Sequence, residues 1–103
     1  MDFCMILSTA ADQEQADKIT AALLNAKVAS CVQQIPITSQ YQWKGEVAKS
    51  EEILLQIKSR DDLYSRVEEI IKQNHSYEIP QIIKTPITGG LPEYLDWIKS
   101  ETE

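Results

Sequence analysis

The chain lacks most of the residues on which common catalytic and phosphate-binding motifs depend. It has one histidine, two cysteines and three glycines in 103 residues, and the glycines fit neither a dinucleotide-binding nor a Walker pattern. No run approaches the roughly 18 apolar residues typical of a membrane span. A structural zinc site usually takes four Cys or His ligands, so we expect none within one chain.

Basic residues are also scarce relative to acidic ones. Sixteen Asp and Glu stand against ten Lys and Arg, for a net charge of −6. Because phosphate groups repel an acidic protein, we expect neither nucleic acid nor an anionic membrane as a partner. The opening residues "MDFCMILSTAADQE" contain no basic segment, so we expect no secretory signal and a cytoplasmic protein. Cys4 and Cys31 each lie among apolar residues, and we expect both to be buried, unpaired thiols.

The length predicts one domain over residues 1–103. Residues 3–9 are apolar on both faces, which predicts a central strand. Asp12 followed by Gln15 resembles a capping box and predicts the start of a helix.

Extended structure returns over residues 28–35, where β-branched residues alternate with polar ones. Pro36 lacks a backbone donor, so we expect a bend or bulge there. The pattern then resumes, and Gly45 predicts the turn of a long hairpin whose return strand contains "EEILLQIKS". Ser59 is the expected cap of a second helix.

The second helix is expected to end near Asn74. Residues 78–87 predict a fourth strand, whose two prolines favour an irregular or edge position. Pro92 marks the start of a short terminal helix.

This order predicts an α+β fold of the ferredoxin-like split βαβ type (βαββαβ). The expected sheet is antiparallel and four-stranded, with both helices on one face, a long hairpin between the second and third strands, and a C-terminal helix. Its strands are apolar on both faces, so the sheet face without helices must be shielded from water by another surface. We expect other copies of the same chain to provide it.

The best candidate site is "QNHSYEIP" at residues 73–80, which contains the only histidine. His75 at a helix end is either a packing and capping residue or a functional one. In an extended segment Tyr77 and Glu78 point to opposite faces, so His75 and Tyr77 are the expected partners. Trp43, near the hairpin turn, predicts subunit packing or an aromatic wall of a ligand site.

Five stretches in order make the chain similar to the CutA family: "ASCV", "YQWKG", Lys58 after "ILLQI", "HSYEIP" and "YLDW". The resemblance implies a homotrimer like the PII signalling proteins, with clefts between subunits that bind a small-molecule or metal effector. It implies tolerance to copper and other divalent cations, and no enzymatic reaction. We expect Lys58, His75, Tyr77 and Glu78 to line the cleft, with Trp43 beside it.

The resemblance also bears on metal binding. Family members with a proposed copper site have a thiol at the position of Ser8 and histidines at positions 74 and 75. In this chain only His75 is present. Ser8 replaces the thiol and Asn74 replaces the other histidine, and a hydroxyl and an amide are poor ligands for copper. We therefore expect no required cofactor, and only weak binding of copper or another divalent cation by His75 with carboxylates.

Two alternatives stay open at the same site. The chain is either a divalent-metal (copper or zinc) binding protein that uses His75, or a small acid–base enzyme. In the second case His75 would be the base, and Glu78 or Tyr77 the acid.

Overall fold

The computed structural model describes all residues 1–103 and has four strands and three helices. In chain order these are β1 (Phe3–Ala10), α1 (Gln13–Asn25), β2 (Cys31–Trp43), β3 (Glu46–Arg60), a 3-10 turn (Asp61–Leu63), α2 (Tyr64–Asn74), β4 (Ile82–Ile87) and α3 (Pro92–Ser100). The strands form one sheet in the order β2-β3-β1-β4, and every pairing is antiparallel. This confirms the ferredoxin-like α+β fold expected from the sequence. None of the helices has the length and hydropathy needed to span a bilayer.

The core lies between the sheet and the pair α1 and α2. Because side chains alternate along a strand, every second residue of β1 and β3 faces these helices. The core is made of these buried residues: Cys4, Ile6, Ala10, Ala16, Ile19, Leu23, Val28, Ala29, Leu55, Ile57, Val67, Ile70 and Ile71. β1 pairs with β3 on one side and β4 on the other, so it is the central strand that its apolar run predicted.

The predicted cap of α1 is present. The carboxylate of Asp12 accepts a hydrogen bond from the backbone N–H of Gln15 at 2.9 Å, which satisfies one of the free donors at the helix start. Pro92 likewise occupies the start of α3, where a missing N–H costs nothing.

The hairpin of β2 and β3 projects beyond the rest of the sheet. Pairing with β1 stops where Ala10 meets Ile53, so residues 37–52 are paired only with each other. The turn at its tip has Lys44 at φ 51° and Gly45 at φ 84°. Two successive positive φ values define a type I′ turn, which matches the natural strand twist and favours glycine at the second position. The projecting hairpin stretches the molecule to 44 × 25 × 21 Å.

Two local expectations were wrong. Pro36 causes no bulge, because it stays in register opposite Ile53. β2 is an edge strand, so a residue without a donor is tolerated there. Ser59 does not cap α2; its hydroxyl donates instead to the Val28 carbonyl, and α2 begins after Leu63 without a side-chain cap.

Two other expectations need adjustment. Cys4 is fully buried, but Cys31 is only half-buried because it lies on the face opposite the helices. The fourth strand is at the sheet edge as expected, but it begins at Ile82 rather than at residue 78. Residues 75–81 are an irregular connection held by side chains, and that connection forms part of the candidate site.

Candidate functional site

The sheet face opposite α1 and α2, called here the open face, carries apolar side chains that the chain covers only in part. Ile35, Tyr41, Trp43 and Ile83 point to this face and are 40%, 41%, 39% and 50% exposed. Four large apolar side chains this exposed on one sheet face favour an interaction with another molecule.

α3 covers one end of the open face. Ile98 is fully buried, and the Lys58 ammonium lies 3.4 Å from the Tyr94 hydroxyl and 5.6 Å from the centre of its ring. Lys58 is paired with Met5 in the middle of β1. It is therefore displaced from the other end of the strands, where Thr9 and the projecting hairpin lie.

At that other end, the connection after α2 is fixed to α1 by one glutamine. The amide nitrogen of Gln15 donates to the Asn74 carbonyl at 2.6 Å, and its oxygen accepts from the Ser76 N–H at 2.9 Å. The Asn74 amide also closes the helix end by donating to the Ile70 carbonyl at 2.8 Å. These bonds hold His75 and Tyr77 in place between α1 and the open face.

Both ring nitrogens of His75 are engaged in hydrogen bonds. Nε2 lies 2.6 Å from the Thr9 carbonyl oxygen, and Nδ1 lies 3.1 Å from the backbone N–H of Tyr77. A carbonyl only accepts and an N–H only donates, so this geometry assigns the proton to Nε2 and the lone pair to Nδ1. His75 therefore bridges the end of β1 and the connection.

The phenol of Tyr77 reaches the open face and meets Glu52 of the projecting hairpin. Its hydroxyl donates to Oε2 of Glu52 at 2.7 Å, and its ring lies 4.7 Å from that of His75. The Glu52 residue is 9% exposed. Burial, followed by the hydrogen bond to the Glu52 carboxylate, raises the pKa of Tyr77 above its ordinary value.

A cavity of about 600 Å³ opens beside this pair, between the connection and the hairpin. Tyr41, Trp43 and Tyr77 contribute aromatic surface, and Glu52 and Glu78 contribute carboxylates. The volume is within the range of small-molecule sites, roughly 300–1,000 Å³.

The residues present do not fit a firm metal site within one chain. No group of three or more His, Cys, Asp or Glu side chains is placed to hold an ion. A metal could bind His75 only if Nδ1 or Nε2 gave up its hydrogen bond. Ser8, where the resemblance led us to expect a thiol in copper-binding members, is fully buried and its hydroxyl has no hydrogen-bond partner.

The structure thus brings most of the predicted site residues together. Trp43, Tyr77 and Glu78 line one cavity, and His75 lies behind it in contact with Tyr77. Lys58 is outside this cavity in a single chain, so its place in a cleft between subunits stays a prediction.

Glu52 was missed by the sequence analysis. It lies in a run of polar hairpin residues, "KSEE", and nothing in that pattern distinguishes it from its neighbours. The alternation of β3 gives the only usable signal, since it places Glu52 on the same face as Leu54.

Comparison with known proteins gives one consistent result. Residues 4–101 match the family model described as CutA1 divalent ion tolerance protein. The chain is 37% identical over 99 residues to the divalent-cation tolerance protein CutA of Thermus thermophilus, covering 95% of this chain and 96% of the relative. It is also 37% identical over 99 residues to the chloroplastic protein CutA of Arabidopsis thaliana, covering 95% of this chain and 54% of the relative. The chain therefore spans about half the length of the plant relative and almost all of the bacterial one.

Solved structures agree with the sequence comparisons. CutA1 from Oryza sativa has a TM-score of 0.97 at 35% identity, covering 100% of this chain and 95% of the other. The periplasmic divalent cation tolerance protein CutA from Archaeoglobus fulgidus has a TM-score of 0.96 at 37% identity, covering 98% of this chain and 99% of the other.

Proposed function

The chain belongs to the CutA1 divalent ion tolerance family, and from that premise we propose that it is a homotrimeric binding module in the response to copper and other divalent cations. The observation that carries the proposal is the open face. Its apolar side chains Ile35, Tyr41, Trp43 and Ile83 are 39–50% exposed, and residues 37–52 of the projecting hairpin pair with no third strand. A two-stranded hairpin is marginally stable alone in water, so packing against other copies would stabilise it.

Sedimentation equilibrium tests the trimer. Ile35 on the open face and Leu24 on α1 are 40% and 42% exposed, so they form a matched pair. We expect Ile35→Lys to weaken the trimer, because it would bury a charge in the interface. Leu24→Lys should leave the mass unchanged. A monomeric wild-type protein would refute the proposal.

We propose binding rather than catalysis at this site. A general base needs a nitrogen free to take a proton, and both nitrogens of His75 are already engaged. The Tyr77 hydroxyl already donates its hydrogen bond to Glu52, and the raised pKa of Tyr77 makes it a poorer acid.

The family description names tolerance to divalent ions; any direct binding of such a cation by this chain is proposed as weak and carried by carboxylates. Copper and zinc titrations of wild type and His75→Ala measure the contribution of the histidine. We expect similar affinities, since His75 has no free lone pair. A large loss in His75→Ala, with His75→Gln equally affected, would make His75 a ligand.

A cytoplasmic location stays a prediction. Relatives and neighbours are described as chloroplastic in Arabidopsis thaliana and periplasmic in Archaeoglobus fulgidus. Cell fractionation tests it directly.

A further inference from the structure

The cavity beside Tyr77 has the charge of a site for a cation. Two carboxylates, of Glu52 and Glu78, are among its 11 lining residues, and none of the 11 is Lys, Arg or His. Its remaining polar lining consists of hydroxyl and amide side chains, which offer oxygen acceptors. The lining thus offers negative charge and acceptors without a basic group to balance them.

Glu52 is the most buried source of this uncompensated negative charge. It is 9% exposed, and its one side-chain partner is the Tyr77 hydroxyl on Oε2. The ion pairs of the chain, Arg60–Asp62 and Lys84–Asp61, do not include it. Buried carboxylates are normally paired with a cation, so this one leaves an acceptor without a partner of opposite charge.

The charges around Tyr77 support the same conclusion. Besides burial and Glu52 itself, the Asp12 carboxylate also raises the pKa of Tyr77. The local potential is therefore negative from the hairpin to the start of α1, which favours a positively charged ligand.

An organic ammonium fits this site better than a metal ion does. The cavity holds no group of three His, Cys, Asp or Glu side chains in coordinating geometry. An ammonium group needs only hydrogen-bond acceptors, and its carbon body gains from aromatic surface. Tyr41 and Trp43 supply that surface, although one side of the Trp43 ring already faces the Lys44 ammonium at 5.7 Å.

We propose that this cavity binds a short organic amine whose ammonium group donates to the Glu52 carboxylate and whose carbon body lies against Tyr41 and Trp43. The inference rests on the binding module proposed above and names the ligand class of its site. The cavity, about 600 Å³, has room for a ligand of several carbon atoms. Glu78 at its edge can receive a second ammonium group.

The experiment uses Trp43 as the reporter. The only other tryptophan, Trp97, lies in α3 against Tyr94 with ring centres 5.6 Å apart, so Trp97→Phe leaves a single indole at the cavity. The probe is 1,5-diaminopentane, and 1,5-pentanediol is its neutral analogue of equal length. We expect the diamine to change the Trp43 fluorescence saturably and the diol to have no effect.

Two isosteric variants locate the charge. Glu52→Gln keeps an acceptor for Tyr77 but removes the charge, and we expect it to weaken diamine binding about tenfold. Glu51→Gln removes the same charge one residue away, on the opposite face of β3, and should leave binding unchanged. Equal effects of the two variants would mean non-specific attraction to an acidic protein and would overturn the proposal.

Two further results would also overturn it. One is a response to the diol as strong as that to the diamine. The other is saturable binding of magnesium or zinc that depends on Glu52 while the diamine does not bind. Sedimentation of the same samples measures the assembly separately. A monomer that binds the diamine would refute the trimer alone, and a trimer that does not bind it would refute the amine site alone.

Discussion

Ser8 offers the sharpest test of the packing between sheet and helices. It is fully buried on β1, paired with Leu55 on one side and Ile82 on the other, and its Oγ has no hydrogen-bond partner. A hydroxyl in that state costs about 1–3 kcal/mol of folding free energy. Replacing Ser8 with alanine removes the cost but also a few van der Waals contacts, worth about 0.1–0.2 kcal/mol each.

The balance favours the smaller residue. We expect Ser8→Ala to raise the free energy of unfolding by about 1 kcal/mol. For a domain of this size that corresponds to a rise of about 4–8 °C in Tm. The assay is thermal and denaturant unfolding at one fixed protein concentration, since the stability of an oligomer depends on concentration.

Ser59 is the matched control, because it is an equally buried serine on β3 facing the same helices. Its hydroxyl donates to the Val28 carbonyl at 2.5 Å. Ser59→Ala leaves that carbonyl without its donor and should lower the free energy of unfolding by about 1–2 kcal/mol. If Ser8→Ala destabilised the protein as much as Ser59→Ala, the reasoning on the unpaired hydroxyl would be refuted.

Two other predictions concern titration and thiol chemistry. Tyr77 and Tyr64 have raised pKa values, about 12 for Tyr64, caused first by burial and then by hydrogen bonds to Glu52 and Glu68. The unfolded chain therefore releases these two protons at lower pH than the folded one, so the contribution of the two tyrosines to stability should be constant below about pH 10 and fall above it. Tyr77→Phe should make that fall shallower in alkaline unfolding curves, and an unchanged slope would count against the Glu52 contact. Burial raises the pKa of the Cys4 thiol to about 11, whereas Cys31 is half-buried, so a thiol reagent at pH 8 should label Cys31 first. Faster labelling in Cys31→Ala than in Cys4→Ala would contradict this order.

The elements could be predicted because their signals are local. The apolar run of β1, the Asp12 cap of α1 and Gly45 at the hairpin turn each act within a few residues of themselves. Pro36 and Ser59 were misread because their roles depend on distant neighbours. Pro36 is harmless only because β2 turned out to be an edge strand, and Ser59 bonds to Val28, which is 31 residues away.

The same limit applies to the site. The proximity of His75 and Tyr77 followed from their spacing, and their contact is observed. The spacing could not predict the hydrogen-bond partner of either residue. His75 bonds to Thr9, which is 66 residues away, and Tyr77 bonds to Glu52, which is 25 residues away. These contacts depend on how far β3 extends past β1, which is a property of the sheet register.

The projecting hairpin is the part of the sheet in which we expect local opening to cost the least free energy. Residues 37–52 pair with no third strand, so local opening there breaks fewer backbone hydrogen bonds than opening of β1 would. Upon dilution below the concentration at which the proposed trimer would form, we expect the hairpin amides to exchange hydrogen with solvent long before those of β1. Hydrogen-exchange protection at the hairpin thus becomes a measure of assembly, while protection in β1 reports the folding of the single chain.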